Sequence, residues 1–409
     1  MNQMNLQLGA GERRTGQGMP YVLVLMGLAS QTSVGLMSVL MGIGVLCTLY
    51  DLARRREALQ MDPPIGRVLA FYSVSLIIGN LMCFPVAYGI RDALSALYKV
   101  VPFFLAVFYL KNWRTARLVF LAMAVSMLVN DVVAVHQEYG YLQNHTIGRL
   151  TGMTEHPTML GAFLLLVLPL VTFLPKVLRF SRRQAWFLWG VAALSFLVLM
   201  FSQSRGTWMA FFGTLVLFVG MERQHRMRHL KVAGIAIVVF AVVLGTVPAL
   251  QQRMHSVSDT NLVSNTERIL MWKGALQIWQ DHPLFGSGAG TFRQHFDSPE
   301  YRPPEAKEPF HLHPHNYFLK VLSEQGIWGL FFYLWLHGLI AWQLYERWRH
   351  PCGKAAQVVA LCGLLAFAGF HFAAITDTAL RILDVARMYW LTMGACLAAA
   401  QLKDEEAEE

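Results

Sequence analysis

Three histidines crowd into the five positions His311-Leu-His-Pro-His315, just ahead of a long apolar run. Imidazole exchanges its proton near neutral pH, so the first chemistry to consider is general-base catalysis. Alternate histidines also suit zinc, but Glu305 and Glu308 are the only acidic neighbours on that side, and no metal is expected. Two arginines offer a complementary chemistry. Arg205, in Ser202-Gln-Ser-Arg205-Gly-Thr-Trp208, stands where one apolar run ends and the next begins. Its small polar neighbours suggest a site open to a ligand rather than a plain snorkelling anchor. Arg268 follows Ser264-Asn-Thr-Glu267, which reads as a capping box, so it falls in the first turn of a helix. A cation is unfavourable there unless an anion is bound, and a helix N-terminus with an arginine makes a phosphate site. Two guanidinium groups and a neutral imidazole fit group transfer from a lipid diphosphate. The arginines would hold the phosphoryl groups while His315 takes a proton from an incoming hydroxyl. Asp377 and Asp384 either orient that base or pair with Arg381 and Arg387, pairing being the favoured alternative. Lys320 and Glu324 have the spacing of a helical ion pair.

These residues need elements to position them. Pro314 suits the first turn of a helix and Gly326 its far end, with Phe318, Val321, Leu322 and Gln325 between them on one stripe. His315 would then lie at the positive end of the helix dipole, which keeps it neutral. Behind the capping box, Ile269, Trp272, Leu276 and Trp279 predict an amphipathic helix in the headgroup region, stopped by Asp281-His-Pro283. Gly286-Ser-Gly-Ala-Gly290 reads as a flexible turn, and Pro303-Pro304 marks an irregular segment.

The rest of the chain is apolar enough to live in lipid. It has 409 residues, 14% charged, with mean hydropathy +0.41. The fold class is therefore an all-α polytopic membrane protein, with about twelve spans. They lie near 19–32, 34–50, 67–88, 94–110, 115–134, 158–176, 184–202, 206–221, 229–248, 326–345, 355–376 and 386–402. Only Gln31-Thr-Ser33 separates the first two, which form either a tight hairpin or one long span. Arginine and lysine gather in alternate loops, around 54–56, 111–117, 176–183, 223–231 and 347–354, so both termini are expected inside. The net charge of +9 follows from that bias and does not signal nucleic acid. The chain divides into spans at 1–248, an outer loop at 249–325 with amphipathic helices, and spans plus a cytoplasmic tail at 326–409. Arg13-Arg14 ahead of the first run suggests a signal-anchor, and the acidic tail from Asp404 a solvated end. Five cysteines show no pairing pattern. The sequence shows neither an internal repeat nor a low-complexity segment.

At this point the motifs resemble a known family. His315-Asn316, then Gly326 and Gly329, matches the histidine motif of bacterial O-antigen ligases, which share a superfamily with O-antigen polymerases and some protein O-oligosaccharyltransferases. Ser204-Arg205-Gly206 is similar to the family's first arginine motif, and Arg268 with Trp272 and Pro283-Leu-Phe-Gly286-Ser-Gly288 resembles the segment before the histidine. The resemblance implies a helical GT-C-like membrane glycosyltransferase with a large periplasmic loop, in a Gram-negative inner membrane. Its partners would be a glycan on undecaprenyl diphosphate, lipid A–core as acceptor, and membrane lipid. It implies an inverting, metal-independent transfer without cofactor, with His315 as base and Arg205 and Arg268 as diphosphate ligands. His313 has no firm counterpart in that motif and is read as supporting the base from behind, while Asn316 belongs to the motif.

Two alternatives stay open. An O-antigen polymerase, or a protein-glycosylating relative, would use the same chemistry on another acceptor. Polymerases often bring two large arginine-rich periplasmic loops, and only 249–325 is large here. A transporter would place ionisable groups mid-membrane, whereas these spans look nearly free of charge.

Overall fold

A computed structural model describes residues 14–55, 63–81, 86–144, 146–221, 226–256, 263–306 and 313–403. The polar flank through Arg13, together with Arg56, Arg223, Glu308, His311 and the tail from Asp404, lies outside the described residues.

The described chain is helical throughout. Its first nine helices are α1 (Arg14–Ala29), α2 (Val34–Arg55), α3 (Pro63–Leu81), α4 (Val86–Tyr109), α5 (Trp113–Gln143), α6 (Pro157–Phe173), α7 (Arg182–Phe201), α8 (Arg205–Met221) and α9 (Arg226–Thr246). Three short or amphipathic helices follow: α10 (Pro248–His255), α11 (Val263–Asp281) and α12 (Phe292–Phe296). Three long ones close the chain: α13 (Tyr317–Arg349), α14 (Lys354–Ala374) and α15 (Leu383–Ala399). Most apolar runs of the sequence fall on one helix, but the run at 67–88 covers α3 and the start of α4, with 82–85 outside the described residues, and that at 229–248 passes from α9 into α10. Among the described residues, seven helices are long and apolar enough to cross a membrane, and four shorter apolar helices accompany them. The protein is an all-α polytopic membrane protein. Gln31–Ser33 forms a tight turn between two helices rather than the middle of one span, with Ser33 N–H donating to Ala29 O at 3.1 Å.

Local chemistry sets the helix starts. Asn112 caps α5, Ser181 and Gln184 form a capping box on α7, and His156 caps α6 ahead of Pro157. Helices α6, α14 and α15 are apolar on almost every side and fill the core. Outer helices turn apolar side chains outward: Val216 is 74% exposed, Leu46 68% and Ile235 66%. Exposure of that kind is stable against lipid, not water. The interior is not free of charge as the sequence suggested. Asp131 of α5 is fully buried and accepts a hydrogen bond from Ser195 of α7 at 2.5 Å, and Arg387 of α15 is 1% exposed.

Outside the bundle, α11 and α12 build a small core of their own from Met271, Ile278, Phe292, Phe296 and Tyr301. Helix α11 buries Glu267, Leu270, Met271, Gly274, Ala275 and Ile278, while Ile269 and Leu276 face outward. The buried face, covered by α13, is thus a different one from the predicted stripe, whose Ile269 and Leu276 stay on the surface. The expected capping box is also corrected. Helix α11 already includes Val263, so Ser264 lies inside it, and Arg268 sits beyond the first turn, where the dipole argument no longer applies.

Helix α13 decides where the histidines go. Asn316, not Pro314, starts it: its side chain accepts from Leu319 N–H at 3.0 Å. Gly326 breaks it, at φ 65 and ψ −167. The break frees N–H groups that donate to Pro283 O (from Ile327, 2.9 Å) and Leu284 O (from Trp328, 3.2 Å). In return, Ser287 and Gly288 N–H donate to the carbonyls of Ser323 and Glu324, both at 2.9 Å. The Glu324 carboxylate accepts from Gly290 N–H (2.9 Å) and Phe292 N–H (3.3 Å) and pairs with Lys320 inside the protein. Gly286–Gly290 is therefore a clamped loop, not a flexible turn, because a buried carboxylate satisfies its backbone.

Candidate active site

One end of the bundle gathers the N-termini of α6 and α8, the C-terminal side of α14, and residues of α10 and α11. They enclose a cleft lined by Arg149, Arg205, Arg253, Arg268, Thr158 and Asp377. Four guanidinium groups share it. Burial lowers the Arg149 and Arg253 guanidinium groups, and the neighbouring arginines lower them further, Arg253 to about 10. Like charges held this close call for an anion. The α6 and α8 N-termini add the positive ends of two helix dipoles. Arg149 Nε is buried with no hydrogen-bond acceptor among the described residues.

The turn Ser202–Arg205 organises the cleft. Ser202, Gln203 and Ser204 are buried and form an internal hub, while Ser204, Arg205 and Gly206 line the cleft. Gln203, at φ 52, donates from its side chain to Gly148 O at 2.8 Å, beside Arg149. Its own carbonyl accepts from Arg253 Nε at 3.1 Å. Arg205 donates to Ser256 O and Oγ, to Ser264 Oγ at 3.2 Å and to Asn265 Oδ1 at 2.8 Å. Its two terminal nitrogens thereby tie Ser256, at the end of α10, to Ser264 and Asn265 of α11, the helices that carry Arg253 and Arg268. Gly206 completes the turn, since a Cβ there would strike the Thr376 hydroxyl.

His315 reaches this cleft through Asp377. It sits one residue before the α13 cap, at φ 49, and not in the first helical turn. The premise of the dipole argument is thus removed: the Asn316 cap moves the helix start past His315. His315 Nδ1 lies 3.8 Å from Asp377 Oδ1. Burial alone would raise the Asp377 carboxyl, but His315, the Thr158 hydroxyl and the Thr378 N–H hold it well below the usual carboxylate range. Asp377 is therefore an anion facing an imidazole, not the arginine partner favoured from sequence. Asp384 does make such a pair, with Arg387 at 4.0 Å, and is absent from the residues lining the cleft.

Around them, the His313 ring packs edge-on against His315 at 4.3 Å between centroids. Burial pushes the His313 imidazole well below its ordinary range, with His315 and Arg381 adding to the effect, so it is neutral. Trp272 Nε1 donates to Pro314 O at 2.8 Å, tying α11 to the histidine segment. Arg149, His156, Thr158 and Arg253 had not been singled out from the sequence. His156-Pro157 repeats the His-Pro pair of His313-Pro314 at another helix start, a signal that could have found it. Nothing local distinguishes Arg149 or Arg253 from surface arginines. Among the described residues, no three His, Cys, Asp or Glu side chains converge as metal ligands.

Comparison with known proteins adds a family to this geometry. No curated protein matches the chain. Residues 190–334 match the family model described as O-Antigen ligase, a stretch that runs from α7 through Arg205, Arg253, Arg268 and the clamped glycine loop to His315 and α13. Over residues 190–334, and not over the chain as a whole, the protein is similar to the O-Antigen ligase family, and this match supports placing it there.

Proposed function

We propose that this protein transfers a glycan from undecaprenyl diphosphate to a sugar hydroxyl of lipid A–core, at the periplasmic face of a Gram-negative inner membrane. The observation that carries this is the convergence of four arginines and an aspartate–histidine pair at one end of a membrane bundle. Asp377 faces Nδ1 of His315 at 3.8 Å, and an anion there favours the proton on that nitrogen, which leaves Nε2 as the basic one. The acceptor hydroxyl gives its proton to Nε2 as its oxygen attacks the anomeric carbon. The bond from that carbon to the diphosphate oxygen breaks, and single displacement inverts the centre. Negative charge grows on the departing lipid diphosphate, where Arg149, Arg253 and Arg268 stabilise it. Arg205 supplies charge too, while its terminal nitrogens keep the other arginines in place.

The test is a reaction of purified protein with undecaprenyl-diphosphate-linked glycan and lipid A–core, in the presence of EDTA. Glycosylated lipid A–core of inverted anomeric configuration is expected. Joining of lipid-linked units to one another would identify a polymerase instead. In the same assay Arg149→Gln is expected to lower kcat/KM by about 10- to 100-fold, the value of one charged hydrogen bond. It should also weaken the rise in melting temperature that inorganic pyrophosphate gives the parent protein.

A further inference from the structure

The opposite end of the bundle holds a second site with different chemistry. An apolar cavity of about 170 Å³ runs between α6, α7, α8 and α9, with Leu165, Phe196, Phe211 and Ala236 among its walls. An apolar cavity of about this size stays dry and takes up hydrocarbon. At Phe173, Phe218 and Val232 it adjoins a larger cavity of about 400 Å³. That second cavity is polar at its mouth, where Lys176, Lys354 and Gln357 stand beside Trp348. Lys354 also borders a third hollow that contains Arg117 and Arg179. Helix α6 alone separates this mouth from the arginine cleft by about 25 Å of helix rise, so the two sites are distinct.

A greasy trough leading to a cluster of cations has the shape of one ligand class. We infer that this is a binding site for an anionic phospholipid of the leaflet opposite the arginine cleft. Its phosphodiester would lie between Lys176 and Lys354, and one acyl chain would run past Phe218 into the apolar cavity. Basic pockets between membrane helices bind such headgroups. The occupant would also serve the fold. Among the described side chains of α9 only His229, Ala233 and Phe240 are buried, and the acyl chain would pack against its inner face.

The test uses full-length protein in detergent, stripped of lipid and then offered an equimolar mixture of phosphatidylglycerol and phosphatidylethanolamine with matched chains. Native mass spectrometry of the retained lipid is expected to show a preference for phosphatidylglycerol. Each lysine should contribute roughly fivefold to it, so the K176Q/K354Q double variant loses most of the preference and K176R/K354R keeps it. Ala236→Trp fills the trough and should lower retention of both lipids with the lysines intact. Glycerophosphoglycerol and inorganic phosphate, which lack chains, should not raise the melting temperature as phosphatidylglycerol does. Equal retention of the two lipids by the parent protein would overturn the proposal. So would a double variant with undiminished preference, or a full thermal shift from a chainless phosphate.

Discussion

Protein carrying His315→Asn is expected to transfer glycan at least about a hundredfold more slowly than the parent, the usual contribution of a positioned base. Asparagine is the substitution of choice because the backbone at 315 is left-handed, at φ 49, and Asn tolerates that region better than most residues. The arginine cleft is untouched, so KM for the lipid-linked donor should change little while kcat falls. Asp377→Asn should slow the same step, because it removes the anion that faces Nδ1 at 3.8 Å. Combining the two changes should add little to either alone, since the pair acts as a unit. Melting temperature and pyrophosphate-induced stabilisation serve as controls for the fold and the cleft. Transfer by His315→Asn at the parental rate would remove His315 from the mechanism.

Gly326→Ala should be the most damaging single methyl group in the chain. The residue holds φ 65 and ψ −167, a region that essentially only glycine occupies. A Cβ there would lie 2.6 Å from Gly286 N and strike the Leu284 carbonyl as well. Both obstacles are backbone, so no side-chain rotation relieves them. Strain of about 1–3 kcal/mol adds to overpacking of similar size, a large share of the roughly 5–15 kcal/mol by which a domain is stable. The functional loss should exceed the thermal one, because the segment that re-aims carries Asn316 and His315. Gly338→Ala, on the same helix with open space at its Cβ, should leave stability and transfer intact. Limited proteolysis around 286–292 and a melting curve distinguish the two variants. A Gly326→Ala protein that melts and transfers like the parent would show that the crossing of these two segments is not needed.

Much of this was legible in the residues. Most apolar runs marked a single helix, because burial in lipid demands a continuous hydrogen-bonded segment long enough to cross it. His315, Arg205 and Arg268 stood out because each broke a local expectation: a histidine at a helix start, a cation at a span end, a cation near a cap. Two of those reasons were wrong in detail. Asn316 is a better cap than a proline, and it moved the helix start past His315. Helix α11 began earlier than its capping signature, which put Arg268 beyond the first turn. The glycine loop misled for a different reason. Gly286, Gly288 and Gly290 all adopt positive φ, as a flexible turn would, yet the Glu324 carboxylate holds the loop rigid from 34 residues away.

Composition and order of residues alone determined the class of protein and most of its helices, and pointed to His315, Arg205 and Arg268 as the residues to follow. Hydropathy and charge bias act through solvent and need no knowledge of neighbours. Only the tertiary structure decided that Arg149 and Arg253 join them, that Gln203 wires the cluster together, and that Asp377 faces His315. Those contacts link residues about 50 or more positions apart, from Gly148–Gln203 to His315–Asp377. A guanidinium or a carboxylate looks the same in sequence whether water or another helix surrounds it, and packing alone makes that difference.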